Sequence, residues 1–257
     1  MAARYVIFTA ITGGFDELMQ PAVTDPEFDF VCFLPEAEVP SEGRIGEWTV
    51  RPISDMPLSN RLKAKYIKMH PHFFLSDYEA SLWIDGNVRI ETAEVYDIFR
   101  DKIARGISFS GINHPLRDDV YDEALKVFDN ELDSFRAVRR TVQFLKGERF
   151  PRHSGLYETN VVFRQHNDPA VIRFDDLWWE CVTTYSSRDQ LSHGWCLRKS
   201  GVRGDHFVPD DYSARDYPAF GYVFHGKNKQ RGWFGRKWHG LMVWLPTRIL
   251  RDMVRSI

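Results

Sequence analysis

The feature that most constrains the fold is an apolar run that stops at a carboxylate. The run Leu82–Ile84 leads directly into Asp85, and Asn87 follows after one glycine. In an open α/β sheet, a buried strand that ends in Asp-x-Asn brings two oxygen ligands to the carboxyl edge, where such sheets bind ligands. Mg²⁺ and Mn²⁺ prefer oxygen donors and commonly share them with a phosphate. Asp-Gly-Asn is also a good turn sequence, so the triplet predicts either a metal site or an ordinary turn.

The size and composition of the chain indicate a globular α/β protein. Its 257 residues fit one large domain or two small ones, and 43% hydrophobic residues are enough for a large core. A net charge of -2 argues against a nucleic-acid-binding protein. The cysteines are too scattered for a disulfide framework or a zinc site, which predicts buried thiols. No charged-then-apolar leader and no apolar run of membrane-spanning length is present, so we expect a cytoplasmic protein.

Near the N-terminus, a predicted strand runs into a glycine-containing loop. The strand Tyr5–Phe8 is followed by the loop Thr9–Asp16, which contains Gly13 and Gly14. Glycines let backbone N–H groups approach a nucleotide closely, and a doubly wound fold makes that contact at this point. A tight turn is the simpler explanation of a lone Gly-Gly pair.

A basic helix is predicted directly before the Asp85 strand. Leu62, Tyr66 and Met69 recur at helical spacing, and Pro71 lies just past the expected end. The same segment carries a run of cations: Arg61, Lys63, Lys65 and Lys68. A solvated helix face is the simpler interpretation of such a run. However, these cations could also neutralise a diphosphate bound at the following strand.

The rest of the chain alternates between predicted strands and helices, without repeats or linkers. Periodicity predicts strands over 107–112 and 157–164, helices over 94–105, 169–185 and 190–199, and one or two helices within 119–147. Ser187 or Asp189 could cap the helix that begins at Gln190. A last strand is predicted over 222–227 and contains His225. We therefore expect one domain over 1–226, followed by a separate C-terminal segment.

The C-terminal segment, residues 227–257, is basic and rich in tryptophan. It contains many cationic residues and one acidic residue, Asp252. The cationic residues are interleaved with Trp233, Trp238 and Trp244. Cations and tryptophans without a long apolar run are typical of a segment that lies on an anionic membrane surface. The alternative is a C-terminal helix packed on the domain with its basic face in water.

Several separated stretches of the sequence resemble one known group of proteins. They are Thr9–Leu18, Asn60–Lys65, Leu82–Asn87, Gly155–Asn160 and Ser187–Ser192. The amino-acid sequences of these stretches resemble those of the domain-of-unknown-function 616 family, a glycosyltransferase-like group. The order of Asp85-Gly86-Asn87, Thr159-Asn160-Val161, Asp189-Gln190 and His225-Gly226-Lys227 is also similar to that in retaining GT-A glycosyltransferases of family 8.

The resemblance implies a fold and an activity. The fold would be of the GT-A type, a Rossmann-like α/β domain with a mixed, mostly parallel sheet flanked by helices. The activity would be a metal-dependent glycosyltransferase that moves a sugar, most simply from a UDP-sugar, to a glycan or glycolipid acceptor with retention. Such an enzyme would work in cell-surface polysaccharide synthesis, at the inner face of the cytoplasmic membrane if the C-terminal segment binds there.

The resemblance also implies a role for each motif residue. The nucleoside would contact Thr9, Ala10, Ile11, Thr12, Phe15 and Asp16. The diphosphate would face Arg61, Lys63, Lys65 and Lys227. A Mn²⁺ or Mg²⁺ ion would be held by Asp85, Asn87 and His225. The sugar and acceptor would meet the catalytic candidates Asn160, Asp189 and Gln190. Further substrate-binding candidates are Trp83, Gly86, Glu158 and Thr159.

Two positions depart from the family 8 pattern. Asn87 is a neutral and weaker donor than the acidic ligand it replaces, and Gly226 follows His225 immediately instead of at a distance. Two other functions therefore stay open at this stage. One is a metal-dependent hydrolase of a lipid amide or phosphoester that uses Asp85 and His225. The other is a catalytically inactive domain that binds a carbohydrate or a partner.

Overall fold

The computed structural model describes residues 4–14, 16–223 and 246–256. Ten strands are numbered in chain order: β1 (Tyr5–Ala10), β2 (Phe28–Pro35), β3 (Arg44–Ile45), β4 (Trp48–Ile53), β5 (Ala80–Ile84), β6 (Val88–Ile90), β7 (Phe109–Asn113), β8 (Tyr157–Arg164), β9 (Asp205–His206) and β10 (Phe220–Tyr222). The helices are α1 (Asn60–Met69), α2 (Pro71–Phe74), α3 (Glu94–Ala104), α4 (Val120–Asp129), α5 (Phe135–Gly147), α6 (Pro169–Thr184), α7 (Gln190–Ser200) and α8 over 246–255.

Short polar side chains set the start of several helices. Ser59, Asp119, Ser134 and Asp168 each accept a hydrogen bond from a backbone N–H in the first turn of α1, α4, α5 and α6, respectively. These bonds satisfy N–H groups that have no partner within the helix. The predicted helical region over 119–147 is accordingly two helices, α4 and α5, and the second starts at its own cap.

The main sheet has the strand order β3-β4-β2-β1-β5-β8-β7-β9. β1 pairs in parallel with β2 and β5, and β2 pairs in parallel with β4. β8 runs antiparallel to both β5 and β7. This arrangement confirms the predicted class, a mixed α/β sheet with helices packed against it. The parallel part of the sheet consists of β4, β2, β1 and β5.

Burial on both faces explains why the central strands are apolar runs. Val6 and Phe8 of β1 belong to a core that includes Trp178 of α6, whereas Tyr5 and Ile7 belong to a second core on the opposite face. Because successive side chains of a strand point to opposite faces, a strand covered on both sides must be apolar throughout.

The antiparallel pairing of β5 with β8 brings two predicted motifs together. The end of β5 pairs Ile84 with Val161, near the start of β8. The backbone N–H of Asp85 then donates to the carbonyl of Asn160 at 2.8 Å. The strand end that carries Asp85 is thereby placed beside Glu158, Thr159 and Asn160.

A small second sheet returns the chain to the same region. β10 pairs antiparallel with β6, and the N–H of Val223 donates to the carbonyl of Asn87 at 2.9 Å. The described strand Phe220–Tyr222 overlaps the strand predicted over 222–227 at Tyr222. Residues 224–227 of that prediction, among them His225 and Lys227, lie outside the described residues.

The last helix, α8, packs on the domain. Leu250 and Val254 are buried in a cluster with apolar residues of α4 and α5, such as Tyr121 and Val142. The side chain of Lys146 also donates to the hydroxyl of Ser256 at 2.6 Å. Within the described part of the chain, no helix has the length and apolar character that crossing a membrane requires.

Candidate functional site

A cavity of about 430 Å³ lies where β1 and β5 end, β8 begins, and α1 and α7 meet. It is lined by Ala10, Ile11, Thr12, Asp16, Arg61, Ala64, Lys65, Lys68, Trp83, Asp85, Gly86, Asn87, Glu158, Thr159, Asn160, Arg188, Asp189, Gln190, Arg215 and Tyr222. Its position at the carboxyl edge of the parallel strands is where open α/β sheets bind ligands.

Most of the predicted site residues meet in this cavity, but not all. Thr9 and Lys63 were predicted to bind substrate and do not line it: Thr9 is buried, and Lys63 pairs with Asp55 at 3.0 Å. Phe15, like His225 and Lys227, lies outside the described residues.

Gly86 lets the N-terminal loop approach the strand end closely. A Cβ atom at this position would lie 3.0 Å from Cγ1 of Ile11, 3.1 Å from Cβ of Asp16 and 3.2 Å from its Oδ2. These distances are shorter than ordinary carbon contacts, so the loop rests directly on the backbone of the turn. The Asp-Gly-Asn sequence thus forms a turn and also a wall of the cavity.

Asp85 is held by one of its two carboxylate oxygens. The indole N–H of Trp83 donates to Oδ1 of Asp85 at 2.7 Å, and the ammonium of Lys68 lies 3.7 Å from the same atom. Among the described residues, Oδ2 of Asp85 has no hydrogen bond, and the side chain is 42% exposed. This oxygen can therefore bind a ligand without breaking a contact.

Two of the three predicted metal ligands, Asp85 and Asn87, lie in the described part of the chain, and the third, His225, does not. The amide nitrogen of Asn87 donates to the carbonyl of Val223 at 3.1 Å, which fixes the orientation of this side chain. In the parts of the chain that the structure describes, no cluster of three His, Cys, Asp or Glu side chains could hold a metal ion. A carboxylate oxygen and an amide oxygen are nevertheless the ligand types that Mg²⁺ and Mn²⁺ accept.

Two lysines of α1 converge on Asp189 inside the protein. Oδ2 of Asp189 lies 2.8 Å from the Lys65 ammonium and 2.9 Å from the Lys68 ammonium. The interpretation of these two cations as a solvated helix face is therefore wrong, because they face the interior. Capping is also excluded for the Asp189 side chain, which makes no hydrogen bond to the N-terminus of α7.

Charge and burial oppose each other in this cluster. Burial by itself would raise the pKa of Asp189, but Lys65, Lys68 and Arg188 outweigh it and hold the pKa well below the usual range. Burial lowers the pKa of Lys65 to about 8, and Asp189 limits the shift. Asp189 is consequently an ionised carboxylate at neutral pH.

Aromatic rings and a buried ion pair hold Lys68 in place. Its ammonium lies 5.4 Å from the ring centroid of Trp83 and 5.5 Å from that of Trp178, distances at which cation–π attraction operates. Arg164 donates to the backbone carbonyl of Lys68 at 2.6 Å and to the carboxylate of Asp175 at 2.6 Å. The end of α1 is thus tied to β8 and α6.

The opposite wall of the cavity contains another buried carboxylate. Oε2 of Glu158 accepts a hydrogen bond from the N–H of Ala214 at 3.2 Å, and the guanidinium of Arg215 lies 3.5 Å from Oε1. Arg215 also lies over the ring of Tyr222, 5.1 Å from its centroid. Burial raises the pKa of Glu158, and Arg215 opposes that shift.

The rim of the cavity is built by loops around α1 and α7. Arg61 donates to the hydroxyl of Ser187 at 3.1 Å, and Ser187 in turn donates its backbone N–H to Asp133 at 3.0 Å. Gln190 donates to the carbonyl of Tyr157 at 3.2 Å. These contacts place Arg61 and Gln190 at the mouth of the cavity.

The sequence prediction missed some of the cavity residues, among them Arg188, Arg215 and Tyr222. Lys68 belongs to the predicted run of cations and shares the helix face of Lys65, but it is not among the predicted substrate-binding residues. Nothing in the sequence around Arg215 and Tyr222 indicates that they return to the strand end at Asp85.

A protein family, a plant protein and a solved structure show similarity to this chain. A family model described as "TOD1/MUCI70, glycosyltransferase-like domain" matches residues 1–208. The probable hexosyltransferase MUCI70 of Arabidopsis thaliana is 26% identical over 214 residues, which are 73% of this chain and 36% of that protein. The chain thus spans about a third of the length of this relative. The apo structure of the bifunctional glycosyltransferase WbbM superimposes with a TM-score of 0.42 at 10% identity, over 80% of this chain and 38% of that chain.

Proposed function

The chain belongs to the TOD1/MUCI70 glycosyltransferase-like family, which confirms the resemblance seen in its motifs, and we propose that it transfers a hexosyl group from a nucleotide-sugar to a hydroxyl of a glycan or glycolipid. The observation that carries this proposal is the cavity at the strand end of Asp85, where cations of α1 meet the Asp189 carboxylate. A nucleotide-sugar needs cations for its diphosphate and fixed polar groups for its sugar.

The donor would lie across the carboxyl ends of β1 and β5. Its nucleoside would contact the loop from Ala10 to Asp16, and its diphosphate would face Arg61 and Lys65. Asp189 is ionised and can accept hydrogen bonds from sugar hydroxyls, which then fix the orientation of the ring. Uridine is the base we propose, and transfer with retention is the stereochemical outcome we propose.

Asp85 and Asn87, with His225, would hold a Mn²⁺ or Mg²⁺ ion next to the diphosphate. Support for this assignment comes from the unbonded Oδ2 of Asp85 at the cavity wall. When bound, the ion would act as a Lewis acid that stabilises charge on the departing nucleoside diphosphate. Asn87 is a weaker ligand than a carboxylate because its amide oxygen is neutral.

Titration calorimetry with UDP and GDP, each with and without Mn²⁺, tests the proposal. We expect one nucleotide to bind only with the metal, and Asp85→Ala to abolish that binding while the fold survives. Asp55→Ala is the matched control, because the Asp55 side chain is 97% exposed and lies outside the cavity. Unchanged binding by Asp85→Ala would remove Asp85 from the site. Failure of the folded wild type to bind either nucleotide would favour the hydrolase or the inactive domain.

We also propose that the protein works in cell-surface polysaccharide synthesis, at an anionic membrane. Leu250 and Val254 of α8 are buried on the domain, so we assign the membrane contact to the cations and tryptophans of residues 227–245. A vesicle co-sedimentation assay with Arg236→Gln/Lys237→Gln leaves α8 intact. We expect this variant to bind phosphatidylserine vesicles roughly 30-fold more weakly than the wild type, since it removes two cations and each contributes about 1 kcal/mol near an anionic leaflet. Equal binding would refute the membrane contact.

A further inference from the structure

Four carboxylates line the cavity, and their surroundings differ. Asp189 is bracketed by two ammonium groups at 2.8 and 2.9 Å. A carboxylate in such a position is a weak base, because a proton would displace two favourable charge contacts. Asp189 is therefore suited to binding and unsuited to accepting a proton.

Two of the other carboxylates lie together at the strand end. Oδ1 of Asp85 accepts a hydrogen bond from the indole N–H of Trp83 and lies 3.7 Å from the Lys68 ammonium. Asp16 packs against the backbone of Gly86, on the side where the proposed nucleotide contacts the loop. Neither is placed on the wall formed by β8 and the segment around Arg215.

Glu158 occupies that wall and has a different environment. Its side chain is only 4% exposed, yet it lines the cavity. Its nearest cation, Arg215, is 3.5 Å away and also lies over the Tyr222 ring. Burial raises the pKa of Glu158, and this is the largest influence on it. Arg215 and the hydrogen bonds from Ala214 and Asn160 oppose the shift, whereas Asp216 adds to it. Enzymes often place two carboxylates in different environments within one cavity, so that their pKa values differ. One carboxylate can then accept a proton while the other stabilises charge.

We propose that Glu158 is the general base that takes the proton of the acceptor hydroxyl, an inference that rests on the glycosyltransferase function proposed above. The acceptor oxygen forms a bond to the anomeric carbon of the donor sugar on the face from which the phosphate departs, as retention requires, and its proton passes to Oε1 of Glu158. The bond from the anomeric carbon to the phosphate oxygen breaks, and its electron pair leaves with the nucleoside diphosphate. The proton is then released to solvent.

The competing explanation is that Glu158 only anchors the segment around Ala214. Glu158→Gln separates the two roles, because the glutamine keeps an oxygen that can accept the Ala214 N–H but cannot take a proton at neutral pH. Glu123→Gln is the matched control. Glu123 is also a buried carboxylate paired with an arginine, Arg117 at 2.6 Å, and it lies outside the cavity.

The experiment measures UDP release from UDP-glucose and UDP-galactose with Mn²⁺, water serving as the acceptor, between about pH 5 and 9. We expect Glu158→Gln to lower kcat by roughly 10²- to 10⁴-fold, to leave the calorimetric affinity for UDP within about twofold, and to remove the acidic limb of the pH profile. Glu123→Gln should match the wild type. An acidic limb that persists in Glu158→Gln, or a loss found only in KM, would overturn the assignment.

A second variant keeps the inference testable if Glu158→Gln does not fold. Arg215→Gln removes the cation that lowers the pKa of Glu158, so the acidic limb should move to higher pH. A limb that stays in place or moves to lower pH means that Glu158 is not the base. If the wild type turns over neither donor, both proposals lose their basis. If the wild type turns over a donor and Glu158→Gln does so equally well, only the assignment of Glu158 as the base is overturned.

Discussion

The ammonium of Lys68 lies 2.9 Å from the carboxylate of Asp189, and both side chains are buried. Lys68 belongs to α1, Asp189 directly precedes α7, and the two residues are separated by 121 positions in the chain. Because a buried charge is costly without a partner, each of the two residues depends on the other. The contact therefore joins the cationic helix α1 to the start of α7, where the catalytic candidates Asp189 and Gln190 lie.

Replacing Lys68 should lower the catalytic efficiency more than it lowers the affinity for nucleotide. Lys68→Met leaves Asp189 with Lys65 as its remaining ammonium partner and removes the cation beside Asp85. We expect kcat/KM to fall roughly 10²-fold, since small displacements of positioning groups have effects of this size. Steady-state kinetics of the wild type and variant measure the loss.

Lys63→Met is the control for this experiment. Lys63 lies on the same helix, but it pairs with Asp55 and does not line the cavity. Its replacement should leave kcat/KM within about twofold, as expected for an exposed ion pair. Similar losses in both variants would mean that the effect comes from the charge of α1 and not from the buried contact.

Gly86→Ala should weaken nucleotide binding. The added methyl group would stand 3.0 Å from Ile11 and 3.1 Å from Asp16, so the N-terminal loop must move away from the turn. Overpacking of this kind costs about 1–3 kcal/mol, which corresponds to roughly 5- to 150-fold in a dissociation constant. Gly147→Ala meets no atom within 4 Å and is the control. Equal affinities for UDP in both variants would contradict the close packing.

Asp175→Ala should destabilise the protein strongly. The variant leaves Arg164 as an unpaired charge in the interior, where both side chains are 0% exposed. We expect a loss of about 3–5 kcal/mol in the free energy of unfolding, measured by urea denaturation. Asp176→Ala, an exposed neighbour on α6, should change it by less than about 0.5 kcal/mol. A small loss in Asp175→Ala would show that the pair is dispensable.

Stability should fall on acidification through His166. Its ring nitrogens lie 3.0 Å from the Ser81 hydroxyl and 2.9 Å from the Leu75 carbonyl, and burial lowers its pKa to about 4. The unfolded chain binds the proton near pH 6.5, so this contribution is full above that pH and is lost as the pH falls towards 4. The loss is at most about 3 kcal/mol.

Urea denaturation at pH 7 and pH 4.5 measures this effect. His166→Gln should show a smaller difference in unfolding free energy between the two pH values than the wild type. His153→Gln is the control, because His153 is exposed and its pKa is raised by the hydrogen bond to Asp118. An unaltered pH dependence in His166→Gln would assign the acid sensitivity to other groups.

Local patterns in the sequence were enough to predict most of the fold. The apolar runs of β1 and β5 predict buried strands, and helical spacing with Pro71 predicts α1. The position of Asp85 at a strand end also followed from the sequence, because an apolar run that stops at a carboxylate is a local feature. These features depend on neighbours within a few residues, so the sequence alone determines them.

The identity of the charge partners was decided by the tertiary structure. The sequence shows Lys65, Lys68 and Asp189, but only the packing of α1 against α6 and α7 turns these side chains towards one another. The same holds for Glu158 and Arg215, which come together because β10 pairs with β6 and returns the chain to the cavity. Such contacts join residues far apart in the chain, and whether a charge is solvated or buried depends on the elements that cover it.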